Sequence, residues 1–283
     1  MAQEHAHQPT GGHYWRAAAL GGVECLSARF TSHRYARHWH DGYAVGVVVD
    51  GAEQYACNGR RWHVAPMRTV IAINPGEVHD GASDGRDGWA YRMMYPSAEA
   101  IETLGEELAG RPVRPTLRRS AIDDPELALR FVRCHQGIEG AAASPESEDA
   151  LLLWLASLLE RHAELSVRIE RPLHATDPRI KRVRDLIDAE PAAHLPLELL
   201  SSIAGIGRFH LVRSFASAHG MTPHAWQIQC RLVRARRLID QGHSLVDAAA
   251  GAGFCDQSHL TNRFRRAYGI TPGEYRRSSH RVG

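Results

Sequence analysis

The chain has 283 residues, a length typical of two domains of ordinary size. Hydrophobic residues make up 43% of it, which allows a proper core and excludes wholesale disorder, and no apolar run is long enough to cross a membrane. The net charge of +2 hides an asymmetry, because residues 178–283 hold 16 Lys and Arg against 8 Asp and Glu, whereas residues 1–177 hold 18 against 24. A basic end on an acidic body favours a polyanion-binding module attached to a second domain.

The five cysteines are scattered and form no CxxC pair, which favours reduced thiols in the cytoplasm over a disulfide framework or a zinc knuckle. The N-terminal "RAAALGG" is too short for the core of a signal peptide, so export is not expected. The first sixteen residues are rich in His and Gly and are expected to be mobile.

Short runs rich in β-branched and aromatic residues begin near residue 23 and continue to residue 95. Asp-Gly, Asn-Gly and Pro-Gly pairs separate them, as is typical of antiparallel strands joined by tight turns. The clearest strands are predicted at 43–51, 52–59, 60–66 and 68–77. The pattern predicts a sandwich or barrel.

The stretch "RHWHDGY" (37–43) places His38 and His40 two residues apart, so a strand would aim both imidazoles to one side. A third histidine, His79, follows in "NPGEVHD". Three convergent imidazoles can bind zinc and leave one coordination position open. A metal-dependent enzyme or a metal sensor is therefore one hypothesis for this half of the chain.

The stretches "HDGYAVGVVVDG" and "INPGEVHDG" resemble the cupin-like sensor domain found in many AraC-type regulators. Metal-binding cupins carry a glutamate shortly after the His-x-His pair, but here Tyr43, Ala44 and Val45 occupy the places where it could fall. The resemblance therefore implies that the three histidines line an effector pocket, with structural hydrogen bonding and metal binding as the alternatives. No cofactor and no catalytic residue are expected.

Further side chains are candidates for the effector pocket, because a barrel mouth lined by aromatics and a few polar groups is a normal small-ligand site. They are Tyr43, Trp62, Glu77, Trp89, Tyr91, Arg92 and Tyr95, with Arg92 as a partner for a carboxylate effector. The resemblance also implies that an N-terminal arm can fold over the effector, through Tyr14 or Trp15.

Helical spacing of apolar residues follows at 123–138 and 144–165. Ser144 is predicted as the N-cap of the second helix and Pro145 as its first residue. The apolar face of that helix, which includes Trp154, packs on the barrel or against a second subunit, so a homodimer is possible. Residues 1–170 thus form the predicted sensor domain, with the barrel at about 20–97 and helices at about 98–165. A linker spans 171–178.

The C-terminal part, 179–283, repeats itself. In "GRFHLVRSFASAHGMTP" and "DQSHLTNRFRRAYGITP" five residue types recur 49 positions apart, which indicates an internal duplication. Each copy reads as a short helix, a glycine turn and a second helix that ends at another glycine, and this is a helix-turn-helix. An uninterrupted helical pattern over 222–242 joins the copies and sets the spacing for two successive major grooves.

This part of the chain resembles the DNA-binding domain of the AraC/XylS family of transcription regulators, above all in "GFCDQSHLTNRFRRAYGITPGEYRR" (253–277). One departure is Gly207, a weaker N-cap than the serine usual in the family. The resemblance implies base-reading roles for Phe209, Val212, Arg213, Gln257, Ser258, Thr261 and Asn262, whose chemistry suits guanine, adenine and thymine edges. Phosphate contacts are expected from Arg208, Arg263, Arg265, Arg266, Arg276 and Arg277.

The expected fold is therefore α+β in two domains, a cupin-like β-barrel with flanking helices followed by an all-α domain with two helix-turn-helix motifs. The expected function is a cytoplasmic, sequence-specific transcription regulator, and not an enzyme. Its expected partners are operator DNA, a small-molecule effector and, for an activator, RNA polymerase. The alternatives are a metal-binding cupin enzyme or metal sensor with an appended DNA-binding domain, and a constitutive DNA binder.

Overall fold

The computed structural model describes residues 11–17, 19–85, 88–139, 145–166 and 177–279. The strands of the N-terminal half are β1 (Gly11–Ala17), β2 (Val23–Phe30), β3 (Arg34–His38), β4 (Ala44–Gly51), β5 (Glu53–Cys57), β6 (Arg60–Val64), β7 (Thr69–Ile73), β8 (His79–Ser83), β9 (Trp89–Tyr95), β10 (Arg114–Leu117), β11 (Ala121–Asp123) and β12 (Ala163–Ser166). Its helices are the single turn α1 (Ala19–Gly22), α2 (Ala98–Ala109), α3 (Pro125–Gly137) and α4 (Pro145–His162). The C-terminal half contains α5 (Pro178–Ala189), α6 (Leu197–Ala204), α7 (Arg208–His219), α8 (Pro223–Asp240), α9 (Leu245–Gly251), α10 (Gln257–Tyr268) and α11 (Pro272–Ser279). None of the helices in the described ranges combines the length and apolar character that a membrane crossing requires.

The strands form two main sheets that enclose a cavity. The larger has the order β1-β2-β9-β4-β7-β11 and the smaller the order β3-β8-β5-β6, while β10 and β12 pair separately. All of the described pairs are antiparallel. The predicted β-rich sensor domain with flanking helices is confirmed in this form.

Alternation along the strands of the larger sheet gives it two buried faces. On β9, Tyr91 and Met93 face the space between the sheets, whereas Met94 faces outward. The outward face is covered by α3 and α4, which contribute the fully buried Phe131 and Trp154. The sheet therefore has a helical layer on one side and a cavity on the other.

Two sequence predictions for the sensor domain need correction. Residues 11–17 pair with β2 in full register, so the predicted mobility of the first sixteen residues is wrong for the described part of that segment. The second predicted helix stops at His162, and Ala163–Ser166 pairs with Arg114–Leu117 as a strand. Helical spacing did not reveal this change, because the pairing joins strands that lie far apart in the sequence. Ser144 and most of the predicted linker lie outside the described residues.

The C-terminal half has the predicted repeated helix-turn-helix. In each copy a short helix, α6 or α9, is followed by a twelve-residue helix, α7 or α10, and α8 joins the two copies. Gly220 and Gly269 end α7 and α10 with φ of +74° and +73°, a conformation that favours glycine. Gly207 makes no side-chain cap, whereas Asp256 accepts a hydrogen bond from the His259 amide, as the difference in residue type predicts.

The two halves share a hydrophobic core. One buried cluster contains cavity-side residues of the β-domain, such as Tyr55, together with Leu232 of α8 and Phe264 of α10. The contact between halves is therefore a packed interior, and it places α8, α10 and α11 against the open side of the cavity.

Candidate effector pocket and nucleic-acid interface

A cavity lies between the two sheets and the C-terminal helices, with about 750 Å³ of empty space that is partly open to solvent. Its aromatic lining consists of Tyr14, Tyr35, Tyr55, Tyr91, Tyr95, Tyr268 and Tyr275. Its aliphatic lining consists of Leu26, Ile71, Ile73, Met93, Ala267 and Ile270. The remaining lining residues are Glu24, His38, His40, Glu53, His79, Asp80 and Arg236. An apolar wall with a limited set of polar groups is typical of a small-ligand site.

The three predicted histidines meet in this cavity. His38 on β3 and His79 on β8 are direct cross-strand neighbours, next to a bulge in the register. His40 lies two residues beyond His38 and is held by a hydrogen bond from the Gly76 amide to its carbonyl oxygen, at 2.9 Å. One ring nitrogen from each histidine lies within 4.8 Å of the others. The spacing in "RHWHDGY" thus brings together the imidazoles of His38, at the end of β3, and His40, just beyond it.

The neutral form is favoured in all three imidazoles. Burial lowers their pKa below the ordinary histidine value, and the proximity of His79 adds to the effect at His38. His38 Nδ1 lies 2.8 Å from the Ala36 carbonyl oxygen, and His79 Nδ1 lies 2.9 Å from the Glu77 carbonyl oxygen. A neutral ring bonded in this way carries its proton on Nδ1 and leaves Nε2 as an acceptor.

Charged groups of both halves meet in the cavity wall. Arg236 of α8 donates to both carboxylate oxygens of Glu24 on β2, at 2.6 Å to Oε1, and Arg16 lies 3.1 Å from the same oxygen. Burial alone would raise the pKa of Glu24, but the two guanidinium groups lower it below its ordinary value. Arg16 also donates to the hydroxyl of Tyr275 in α11, at 2.8 Å. The network fixes the C-terminal helices on the rim of the cavity.

A second carboxyl, that of Glu53 on β5, is buried without a cationic partner within hydrogen-bonding distance among the described residues. Burial, and secondarily Asp80, raises the pKa of Glu53 to about 8. The carboxyl is therefore mostly protonated at neutral pH and can donate a hydrogen bond into the cavity.

Five predicted pocket residues do not line the cavity. Arg92 shares the outward face of β9 with Met94, and its guanidinium donates to Glu139 at 2.6 Å and lies 2.9 Å from His135 Nδ1. Tyr43 also faces outward and donates to the Pro115 carbonyl. Alternation along the strands sets both positions.

Glu77 and Trp89 lie outside the lining for different reasons. Glu77 accepts hydrogen bonds from Asn58 and Asn74 and so stabilises the turn between β7 and β8. Trp89 is buried beneath Tyr91, with ring centroids 5.9 Å apart. Of the other pocket candidates, Tyr91 and Tyr95 line the cavity and Trp62 does not.

Cavity-lining residues that the sequence did not predict include Arg236, Tyr268 and Tyr275 of the C-terminal half. They also include Glu24, Tyr35 and Glu53 of the β-domain. Strand alternation could have identified Glu24, Tyr35 and Glu53. No local sequence pattern indicates that a helix of the other half closes the pocket. Tyr14 of the N-terminal arm does line the cavity, while Trp15 faces outward and donates to the Ile138 carbonyl.

Trp39 connects the histidine cluster to the C-terminal half. It directly follows β3, between His38 and His40, and its ring packs against Trp226 of α8 with ring centroids 5.7 Å apart. Its carbonyl oxygen accepts a hydrogen bond from Gln229 at 2.9 Å. The residue between the two histidines thus contacts α8 through both its ring and its backbone.

The helices α7 and α10 present the predicted reading residues to solvent. Leu211, Phe215, Leu260 and Phe264 are fully buried and fix the rotation of both helices. Phe209 is 73% exposed, which is unusual for a phenylalanine without a partner. Arg213, Gln257, Ser258 and Asn262 are exposed, and Val212 and Thr261 are half-buried.

The predicted phosphate-contacting arginines fall into two groups. Arg265, Arg266, Arg276 and Arg277 are exposed. Arg208 instead pairs with Glu198 at 2.6 Å, and Arg263 Nε lies 3.3 Å from His259 Nε2. The first group is exposed to a polyanion, whereas Arg208 must exchange Glu198 for a phosphate.

Comparisons with known proteins agree with a division of the chain into an N-terminal β-domain and a C-terminal helical domain. Residues 20–156 match the AraC-like ligand binding domain and residues 200–278 match the helix-turn-helix domain. The HTH-type transcriptional regulator YbfI of Bacillus subtilis is 26% identical over 239 residues, which cover 84% of this chain and 86% of YbfI. The transcriptional activator NphR of Rhodococcus is 29% identical over 255 residues, covering 86% of this chain and 72% of NphR.

The chain belongs to the AraC family. It is a transcriptional regulator with a ligand-binding N-terminal domain and a helix-turn-helix domain. Among solved structures, ToxT from Vibrio cholerae has the same fold, with a TM-score of 0.53 at 11% identity over 90% of this chain and 98% of ToxT. The AraC-like ligand binding match contains the three histidines, and the helix-turn-helix match contains α7 and α10.

Proposed function

We propose that this AraC-family chain regulates transcription by binding operator DNA through α7 and α10, under the control of a small organic effector held in the cavity. The observation that carries the proposal is the shared wall of that cavity, to which the β-domain contributes Glu24 and the helical domain contributes Arg236, Tyr268 and Tyr275. A ligand in this position touches both domains at once. Binding such a ligand requires no catalytic group, and the relatives YbfI and NphR are transcriptional regulators.

Effector control requires that the ligand bind two arrangements of the domains with different affinity. Two connections in the structure can supply that difference. The Glu24–Arg236 pair closes the cavity rim, and Trp39 links the histidine cluster to Trp226. A ligand that competes for Arg236 or displaces His40 changes the free energy of the domain contact, and with it the relative placement of α7 and α10.

The lining supports a ligand with an apolar body and one or more hydrogen-bonding groups. Ile71, Ile73 and Met93 offer an apolar surface, while the tyrosine hydroxyls and neutral imidazoles offer polar contacts. ToxT has been solved with an unsaturated fatty acid bound, and a molecule with an apolar body and one polar end belongs to the class proposed for this chain.

On DNA, we propose that Arg213 reads guanine, that Gln257 and Asn262 read adenine, and that Phe209, Val212 and Thr261 contact thymine methyl groups. Ser258 is proposed as a further base contact. The exposed Arg265, Arg266, Arg276 and Arg277 contact phosphates, with Arg208 and Arg263 as further contacts. The exposed side chains of both helices support this arrangement, since Leu211, Phe215, Leu260 and Phe264 are buried on the opposite face.

Two further partners belong to the proposal. As an activator, which is what NphR is called, the chain would contact RNA polymerase. A homodimer would form through α4, on which Leu153 is 64% exposed on the face away from the core.

The test combines DNA selection with ligand screening on the full chain. Random DNA is first selected for binding, and small metabolites are screened for an increase in melting temperature. We expect a stabilising compound to change the affinity for the selected DNA by about 5–150-fold, and Ile71→Phe, which narrows the cavity, to abolish that change while keeping DNA binding. If stabilising compounds leave DNA affinity unaltered, a constitutive binder is the better description. If no sequence is enriched, the operator-binding role is wrong.

A further inference from the structure

We propose that His38, His40 and His79 form a binding site for a divalent first-row transition metal ion, Zn²⁺ in the first instance, with the open coordination position directed into the cavity. The proposal stands apart from effector control, since it concerns only what the three imidazoles bind. It rests on the convergence of their nitrogens, on the way two of the rings are oriented, and on the ligand type.

The distances between the three ring nitrogens suit a metal ion. A tetrahedral zinc ion bound at about 2.0–2.1 Å needs ligand nitrogens about 3.4 Å apart. The three histidines already bring one nitrogen each within 4.8 Å of the others, so modest rotations of the rings complete the site. The backbone that carries them is fixed by the His38–His79 strand pairing and by the hydrogen bond from Gly76 to His40.

The orientation of the His38 and His79 rings also suits metal ligands. His38 and His79 each use Nδ1 for a hydrogen bond to a backbone carbonyl two residues earlier in the chain. Metal-ligating histidines are held by this kind of bond through the nitrogen that does not touch the metal, which fixes the tautomer and makes the other nitrogen a better ligand. Nε2 of His38 and of His79 has no hydrogen-bond partner among the described residues, so both lone pairs remain for an ion.

Hydrogen bonding among the three histidines alone would leave at least one of their ring nitrogens without a partner in the cluster. His38 and His79 both present Nε2 as an acceptor, and a neutral His40 has a single ring N–H to donate, so within the cluster at least one acceptor stays without a donor. A cation placed between them satisfies all three at once. Within the described chain the cluster contains no carboxylate, and three imidazoles are a ligand set that suits zinc and its neighbours.

The histidine site lies next to the contact between the two domains. The His40 ring is 4.9 Å from that of Tyr95 and 6.3 Å from that of Tyr268, which belongs to the DNA-binding domain. The open coordination position therefore lies beside the domain contact, where water or a polar group of an organic ligand can complete the coordination.

The experiment uses the full chain, freed of metal with a chelator, dialysed and titrated with Co²⁺ by visible absorbance and with Zn²⁺ by calorimetry. We expect one ion per chain and tetrahedral Co²⁺ bands that Zn²⁺ abolishes. His38→Asn and His79→Asn keep an amide nitrogen near the Nδ1 position for the backbone bond but lack Nε2. Each is expected to weaken binding by at least about 100-fold, since loss of an outer partner alone costs about 10–100-fold.

Two controls separate this site from other histidines. His63→Asn removes an exposed imidazole that bonds Asp84 at 2.7 Å and is expected to leave metal affinity unchanged. The double variant His5→Ala, His7→Ala tests the N-terminal histidines in the same way. Melting of the metal-free variants checks folding, and His40→Ala, whose ring has no backbone bond in the described structure, gives an independent measurement if an Asn variant unfolds. Absence of stoichiometric Co²⁺ binding overturns the proposal, and so does binding that survives in the folded ligand variants.

Discussion

Trp39 shows how a single residue acquires its role from the face of a strand. His38 and His40, on either side of Trp39, line the cavity. The indole of Trp39 points away from the cavity and packs against Trp226 of the DNA-binding domain. The same alternation turns Arg92 away from the cavity and toward Glu139. The arginine that does reach the cavity, Arg236, comes from a helix about 140 residues further along the chain.

At Arg213 we predict that substitution by alanine relaxes base preference and weakens binding to the selected DNA by about 1–3 kcal/mol, because a bidentate contact to guanine is lost. Binding to a panel of single-base variants of the selected site measures this. Arg277→Ala is the control, expected to weaken binding uniformly and to reduce the salt dependence by about one counterion. Unchanged affinity and preference in Arg213→Ala would show that the rotation assigned to α7 is wrong.

His135 gives a prediction for pH. The buried ring sits with Nε2 2.9 Å from the Met93 carbonyl oxygen and Nδ1 beside Arg92, and burial lowers its pKa to about 4. Because the unfolded chain takes up a proton near pH 6.5 and the folded chain does not, this group makes the free energy of unfolding fall as pH drops below 6.5. Its share between pH 7 and pH 5 is about 2 kcal/mol.

His135→Gln keeps a donor for the Met93 carbonyl but cannot titrate. Chemical unfolding of both proteins at pH 7 and pH 5 is therefore expected to show a smaller loss in the variant. An equal loss in the two proteins would mean that His135 does not contribute to the acid sensitivity.

Among the elements, the two reading helices differ mainly at their first residue. The N-cap of α10 is Asp256, whose carboxylate accepts a hydrogen bond from the His259 amide at 2.7 Å. The N-cap of α7 is Gly207, which provides no side-chain cap. Both helices still form, since each buries a leucine and a phenylalanine four residues apart. Capping adjusts their stability, and packing decides their existence.

We predict that Asp256→Ala lowers the free energy of unfolding by about 1 kcal/mol, the usual cost of losing an N-cap. Guanidinium chloride unfolding of the full chain measures the change. Asp256→Asn is the matched control, because asparagine caps about as well as aspartate. A loss of the same size in both variants would point to the charge of Asp256 and not to the cap.

Across the whole molecule, the dominant feature is a core that continues from the β-domain into the helices of the DNA-binding domain. The Glu24–Arg236 pair lies at its edge, with side chains 18% and 22% exposed. Removing one partner of a largely buried pair leaves the other charge uncompensated, which is more costly than losing a surface pair.

Glu24→Gln is therefore expected to lower the free energy of unfolding by about 3–5 kcal/mol and to separate the calorimetric transitions of the two domains. Asp50→Asn, which breaks the more exposed pair with Arg29, is the control and is expected to cost at most about 1 kcal/mol. A single transition at the original temperature in Glu24→Gln would show that the pair does not hold the domains together.

The sequence by itself determined the elements whose signals are local. Glycine positions, caps and helical periodicity were enough for the duplicated helix-turn-helix, and the His-x-His spacing was enough to predict that the imidazoles of His38 and His40 point to one side. The pairing of His38 with His79 is a tertiary feature. Strand β12 was missed because its partner lies about fifty residues earlier in the chain, and residues paired over such distances leave no periodic signal of their own.

Only the tertiary structure decided what surrounds the histidines. Packing of α8, α10 and α11 over the cavity brought Arg236, Tyr268 and Tyr275 to its rim and left Arg92 on the far side of the sheet. The physical reason is that a strand or helix pattern specifies which face is buried, whereas the identity of the surface that covers that face depends on the free energy of the assembled core. The sensor and the DNA reader could therefore be recognised separately from the sequence, and the cavity that joins them could not.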